Sequence, residues 1–247
     1  MKLSVIGSII SKITYAETSR QVVTWARKAE SRYICMANVH MLMEAHDSAD
    51  FKEIVNRADL VTPDGMPLVW MMRLKGQRGQ QRVYGPTLML HVLEAAAREN
   101  IPVGFYGGSP EALGSLVNRM QARYEGLNVA FAMSPPFREM NSQEDDEVVR
   151  NLNQSGARIL FVGLGCPKQE KWMADHRGRA KTVMLGVGAA FDFHAGMKTQ
   201  APAWMQSIGL EWLFRLMTER RRLWRRYLYH NPRFIILAVA DLLGFFR

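Results

Sequence analysis

Cysteine is nearly absent from this 247-residue chain: Cys35 and Cys166 are the only two, in separate contexts. That excludes a disulfide framework, and neither stands at metal-ligand spacing. Both are expected as reduced thiols of a cytoplasm. Long apolar runs are missing too. The longest candidate, Phe234–Phe246, has 13 residues and contains Asp241, against the roughly 20 a spanning helix needs. The opening stretch MKLSVIGSIISKITYAETSR lacks an apolar segment followed by a cleavage site, and it reads as strand then helix. No G-x-G-x-x-G follows an early strand with an acid beyond it, and no G-K-[ST] closes a phosphate loop. No D-x-D pair stands at a strand end, since Asp145-Asp146 falls in a polar helical stretch. A metal clamp on a diphosphate is therefore not expected, and neither is any other cofactor. Internal repeats and low-complexity segments are absent.

What is present describes a folded, basic protein. Hydrophobic residues make up 48% and charged residues 22%, which excludes intrinsic disorder. The formal charge of +9 predicts attraction to something anionic: nucleic acid, an acidic membrane surface or a phosphorylated ligand. Its distribution decides among them. Residues 210–247 hold eight arginines against three acids, so +5 of the +9 sits in that tail. Leu210–Tyr229 has helical periodicity, with Leu213, Leu216, Met217, Trp224, Tyr227 and Leu228 on one face. Arg215, Arg222 and Arg226 lie opposite, Arg221 and Arg225 flank, and Asn231-Pro232 is expected to end the helix. A basic amphipathic helix beside a short apolar segment describes an element lying on a membrane. A nucleic-acid-binding module is the rival reading, disfavoured because the charge is interleaved with apolar and aromatic residues.

From residue 32 to about 200, short apolar runs alternate with longer helical patterns. Tyr33–Ala37, Leu60–Thr62, Pro102–Tyr106, Val129–Met133, Arg158–Val162 and Thr182–Gly186 read as strands. Leu42–Val55, Thr87–Glu99, Pro110–Tyr124, Ser142–Gln154 and Lys168–His176 read as helices. This alternation predicts an α/β domain over residues 1–200 with a mainly parallel sheet flanked by helices, and an arginine-rich helical appendage over 201–247. A nicotinamide dehydrogenase would suit the alternation but lacks its glycine fingerprint.

Ligands of such sheets sit at the carboxyl ends of the strands. That rule selects Asn38 and His40, Asp64 and Gly65, Gly107 and Gly108, Gly163–Gln169, and Gly188–Asp192. In Gly163–Glu170 (GLGCPKQE), Gly163 and Gly165 allow close backbone approach, and the next helix offers free N–H groups and Lys168 to a phosphate. A plain strand–helix turn explains the same residues equally well. Asp64 reads either as a turn-former or as a general base taking a proton from a hydroxyl. Asn38 reads as a helix cap or a sugar ligand, His40 and His194 as structural imidazoles or bases, and Asp192 as a turn cap or a ligand of a ribose or sugar hydroxyl. Arg82 and the tail arginines can pair bidentately with phosphate.

Taken together the blocks resemble the WecG/TagA/CpsF glycosyltransferases. The matching segments are Ala37–His40, Ala58–Gly65, Gln81–Gly85, Tyr106–Gly108, Pro135–Phe137, Gly163–Trp172, Gly186–Gly196 and the tail Gly209–Tyr227. The resemblance implies a Rossmann-like fold and an inverting, metal-independent transfer of a sugar from a UDP-sugar to an undecaprenyl-diphosphate-linked saccharide. The enzyme would work peripherally at the cytoplasmic face of the inner membrane, in exopolysaccharide or other cell-surface glycan synthesis. By that resemblance Asp64 is the base, Asn38 lies near the sugars, and Arg82 and Gln169 serve the donor or catalysis. Gly107, Gly108, Pro136, Phe137, Gly163, Gly165, Lys168, Gln169 and Asp192 hold the donor nucleotide. Arg215, Arg222 and Arg225 meet the diphosphate and the anionic membrane, and no nucleic acid is involved. Thr87 stands where relatives carry an acid. Glu219-Arg220 replaces a common Glu-Pro, which predicts a helix running on without a bend. The NVHM and GMPLVW wording resembles the exopolysaccharide branch and favours a glucose-type hexose over N-acetylmannosamine or its uronic acid.

Overall fold

A computed structural model describes residues 2–246. Its elements are β1 (Lys2–Val5), β2 (Ser8–Ser11), α1 (Tyr15–Arg27), β3 (Arg32–Ala37), α2 (Val39–Asp47), α3 (Ala49–Asn56), β4 (Leu60–Pro63), α4 (Met66–Leu74) and α5 (Gly85–Arg98). There follow β5 (Val103–Gly107), α6 (Pro110–Arg123), β6 (Val129–Met133), α7 (Ser142–Ser155), β7 (Ile159–Gly163), α8 (Lys168–Asp175) and β8 (Val183–Gly186). Beyond the last strand lie α9 (Ala190–His194), α10 (Ala203–Ser207), α11 (Glu211–Thr218) and α12 (Arg220–Leu242). Six strands form one parallel sheet in the order β4-β3-β8-β7-β5-β6, the α/β class expected of the alternation. Central strands of such a sheet are covered on both faces, which is why VGFYG, ILFVG and VMLG are continuous apolar runs rather than alternating ones.

The chain divides into two compact units. One comprises Tyr15–Cys35 and Gly85–Thr199. Its core is aromatic: Phe105 stacks on Phe161 at 5.5 Å and meets Phe191 edge-on at 5.9 Å, all three fully buried. The other comprises Met1–Thr14, Met36–Tyr84 and Gln200–Arg247. In it α12 packs on α2, and its buried residues Leu223, His230, Phe234, Ala238 and Asp241 are spaced to form one helix face. Buried Asp241 accepts the Ile6 N–H at 2.9 Å and the Lys75 ammonium at 2.6 Å, tying α12 to the N-terminal hairpin and α4.

Several expectations give way. The first residues make a hairpin, not one strand, because Ile6 and Gly7 both take positive φ and turn the chain between β1 and β2. The stretch 42–55 is two helices, since Ser48 is extended and its Oγ accepts the Phe51 N–H at 3.2 Å, starting α3. An unforeseen helix, α4, follows Gly65. The tail helix neither runs on at Glu219 nor ends at Pro232. It breaks at Glu219, with φ −123 and ψ 36, and α12 continues through Pro232. Proline removes one helical hydrogen bond there, but the buried face spans both sides of it and outweighs that loss. Among the described residues, no helix is long and apolar enough to cross a membrane.

Candidate functional site

In the unit that holds α2 and α12, the exits of β3 and β4 are joined by one carbonyl. Ala37 O accepts the N–H groups of Asp64 at 2.8 Å and Gly65 at 3.1 Å. Gly65 lies so close that a Cβ there would stand 3.3 Å from both Cα and Cβ of Asn38. The P-D-G turn is thereby pinned against Asn38. Asn38 itself caps α2, its Oδ1 accepting from Met41 N at 3.2 Å, which leaves its amide N–H groups for another partner. Val83 N donates to Pro63 O at 2.9 Å and brings Arg82 alongside.

Arg82 donates through Nε to the Asp64 carbonyl and through Nη2 to Glu211 Oε2 at 2.6 Å, with its guanidinium 3.9 Å above the Tyr84 ring. Burial acts to lower the Arg82 pKa, but Asp64 and Glu211 outweigh it and raise it, so the cation is held charged. Tyr84 is pushed up by burial and then by Glu211, and its neutral hydroxyl donates to Glu211 Oε1 at 3.0 Å. The charge of Arg82 is thus already matched by a carboxylate from α11. Arg215 lies within reach of Glu219 at 3.3 Å, and Arg222 pairs with the same carboxylate. Glu219 therefore collects two of the three tail arginines singled out from the sequence. Arg225 is separate and exposed, 5.2 Å over the Trp224 ring.

In the other unit, three strand exits pack together. Gly107 N–Cα–C takes φ +124, and a Cβ there would meet Gly163 C at 2.6 Å, so only glycine fits. Gly108 N donates to Gly163 O at 3.3 Å, and Val187 N to Val162 O at 2.9 Å. Ser109 caps α6 by accepting from Ala112 N at 3.1 Å. Gln169 is 4% exposed and faces inward: its Oε1 accepts from Gly165 N at 3.1 Å, and its Nε2 donates to Gly186 O at 2.9 Å and Glu170 Oε1 at 2.8 Å. It braces the Gly163–Pro167 loop, and any effect on a ligand passes through that loop. Lys168 opens α8 and is exposed, while the Gln169 N–H of that first turn is already taken by the Gly165 carbonyl at 2.9 Å.

The remaining candidates are placed as follows. Ser134 Oγ donates to Gly108 O at 2.6 Å, and Pro136 and Phe137 lie exposed beyond that tie. Asp192 pairs with Lys198 at 2.6 Å, and its carbonyl accepts from Met197 and Lys198. Asp145 and Asp146 are on α7, paired with Arg179. His194 faces the Pro86 carbonyl at 2.9 Å, with burial lowering its pKa. His40 is grouped with Glu44 and His230. Neither Cys35 nor Cys166 forms a disulfide.

Reasoning from sequence missed Glu211, Glu219, Tyr84 and Glu170. Glu170 is fully buried in the first turn of α8, and burial pushes its pKa up to about 7. A carboxyl kept partly protonated there opposes a bound phosphate less than an ionised one would. Its only sequence signal is an acid directly after Lys168-Gln169. Glu211 and Glu219 were visible as the only acids in the arginine run, a signal of pairing that charge counting overlooks. The profile of the Glycosyl transferase WecG/TagA/CpsF family matches residues 3–246.

Proposed function

Because the chain belongs to the WecG/TagA/CpsF glycosyltransferase family over essentially its whole length, we propose that it moves a sugar from a UDP-sugar to an undecaprenyl-diphosphate-linked saccharide. The donor favoured is a glucose-type hexose, and the product class is exopolysaccharide or a related surface glycan. The reading places the protein peripherally at the cytoplasmic face of the membrane and routes no step through a metal. The observation that carries it is the fixing of Asp64, held by the Ala37 carbonyl, packed against Asn38 and gripped through its own carbonyl by Arg82.

In the proposed step the Asp64 carboxylate takes the proton of the acceptor hydroxyl. The hydroxyl oxygen forms the new bond to the sugar C1, the C1–O bond to the β-phosphate breaks, and UDP leaves with that electron pair. Inversion at C1 follows from a single displacement. Arg82 is a positioning residue that holds the Asp64 turn. The glycines of the Gly107-Gly108 and Gly163–Pro167 loops let the UDP approach the backbone closely, and Lys168 supplies a cation suited to its phosphates. Arg215, Arg222 and Arg225 are assigned to the acceptor diphosphate or the lipid surface. Supporting the membrane assignment, Trp224, Leu228, Ile235, Val239 and Leu242 are exposed on α12 and repeat at helical spacing beside its buried face.

The test is Asp64→Asn, assayed for transfer from a panel of UDP-sugars to short lipid-diphosphate saccharides. Loss of most of kcat, on the order of 10²-fold or more, with UDP affinity and fold retained, is the expected outcome. Near-normal turnover removes Asp64 as the base.

A further inference from the structure

Three side chains outside the assignments above converge where α12 lies on α2. His40 and Glu44 are four residues apart on α2 and so share one helix face. His230 reaches them from α12. His40 Nδ1 stands 3.7 Å from Glu44 Oε1, and His230 Nε2 stands 3.6 Å from the same oxygen. All three ligand atoms fall within 4.8 Å of one another. The two imidazole rings, 5.1 Å apart and tilted by 56°, converge rather than stack.

These separations are too long for hydrogen bonds. They are close to the edge, about 3.3 Å, of a tetrahedron built on bonds of about 2.0–2.1 Å. His230 is the telling member. Its side chain is 9% exposed, its Nδ1 is buried with no hydrogen-bond partner among the described residues, and its Nε2 is aimed at Glu44. Arg226 and Arg233 are the cations of α12 within charge range of the ring. Arg233 is itself matched by Asp47, to which it donates at 2.9 Å. Glu44, at 34% side-chain exposure, leaves a path for a fourth ligand from solvent.

We propose that His40, Glu44 and His230 form a binding site for a zinc-class divalent cation that fastens α12 to α2. Two imidazole nitrogens and one carboxylate suit Zn²⁺, Co²⁺ or Ni²⁺, whereas Mg²⁺ and Ca²⁺ call for six or more oxygens. A water completes the tetrahedron. The cation acts as a clasp within this unit, and no step of sugar transfer passes through it.

The experiment is titration of the metal-free full-length protein with Co²⁺, followed by displacement with Zn²⁺. Saturation at one equivalent with the intense visible bands of four-coordinate cobalt is the expected result. His230→Gln and Glu44→Gln should each weaken binding at least tenfold, while His46→Gln, on the same helix, should not. One equivalent of Zn²⁺ should raise the Tm of the unaltered protein and leave that of His230→Gln unchanged. Absence of stoichiometric binding, weak six-coordinate cobalt spectra, or equal affinity in the folded His230→Gln variant overturns the proposal. The spectrum of the unaltered protein decides the matter even where a variant does not fold.

Discussion

Glu211 Oε2 accepts from Arg82 Nη2 at 2.6 Å, and the two side chains are only 14% and 15% exposed. Through the other side of its guanidinium Arg82 holds the Asp64 carbonyl, so a carboxylate on α11 is linked to the turn that carries Asp64. Tyr84 closes the group by donating to the second Glu211 oxygen.

Removing one partner of a mostly buried pair leaves the other charge uncompensated, which costs about 1–3 kcal/mol for groups not wholly buried. Glu211→Ala should therefore lower stability by that amount and reduce kcat through the loosened Asp64 turn. The double variant Arg82→Ala/Glu211→Ala should lose less stability than the sum of the two singles, because each single already breaks the same contact. Thermal unfolding and steady-state kinetics on the four proteins check this. Strict additivity means that the pair is not coupled.

The membrane reading needs a sharper test than deletion of the tail. Phe234, Ala238 and Asp241 are buried, and Asp241 holds Ile6 and Lys75. Truncation would uncover these contacts and confuse unfolding with lost lipid binding. Polar replacement of Trp224, Leu228, Ile235 and Val239 touches only exposed positions. Each should shift stability by no more than about 0.5 kcal/mol. Together they should abolish sedimentation with vesicles containing anionic lipid, since apolar side chains supply roughly 1.5–3 kcal/mol each when fully buried. Unchanged sedimentation with unchanged Tm would remove α12 as the lipid-facing element.

Much of the fold was legible because local chemistry and global fold agree. Strands such as Ile159–Gly163 are apolar throughout and end in glycine, and Asn38, Asp64 and Gly108 follow strands directly. Ser48 was legible in principle, as a capping residue with Asp50 two positions on, but the helical pattern across it masked the break. The tail was legible as helix, but its break at Glu219 and its continuation through Pro232 were not. Nothing in the residues around Glu219 signals a break whose carboxylate collects Arg215 and Arg222. The helix around Pro232 is tied down by partners far away in sequence, Asp47 lying 186 residues from Arg233. Glu211 is 129 residues from Arg82, beyond what periodicity or spacing can report.

Glu170 yields a prediction with a definite sign. Burial raises its pKa from 4.5 to about 7, so between those values the folded protein keeps a proton that the unfolded chain releases. Stability must then fall as pH rises through that window, and the loss levels off above pH 7, reaching on the order of 3 kcal/mol. Glu170→Gln keeps the shape and the oxygen that accepts from Gln169 but cannot ionise. The variant should therefore gain stability relative to the unaltered protein as pH climbs from 4.5 to 7, with a constant advantage beyond. Urea unfolding of both proteins across pH 4–8.5 measures this difference. A flat difference would mean that Glu170 ionises at its ordinary value, and that the loop braced by Gln169 has a full negative charge beneath it throughout.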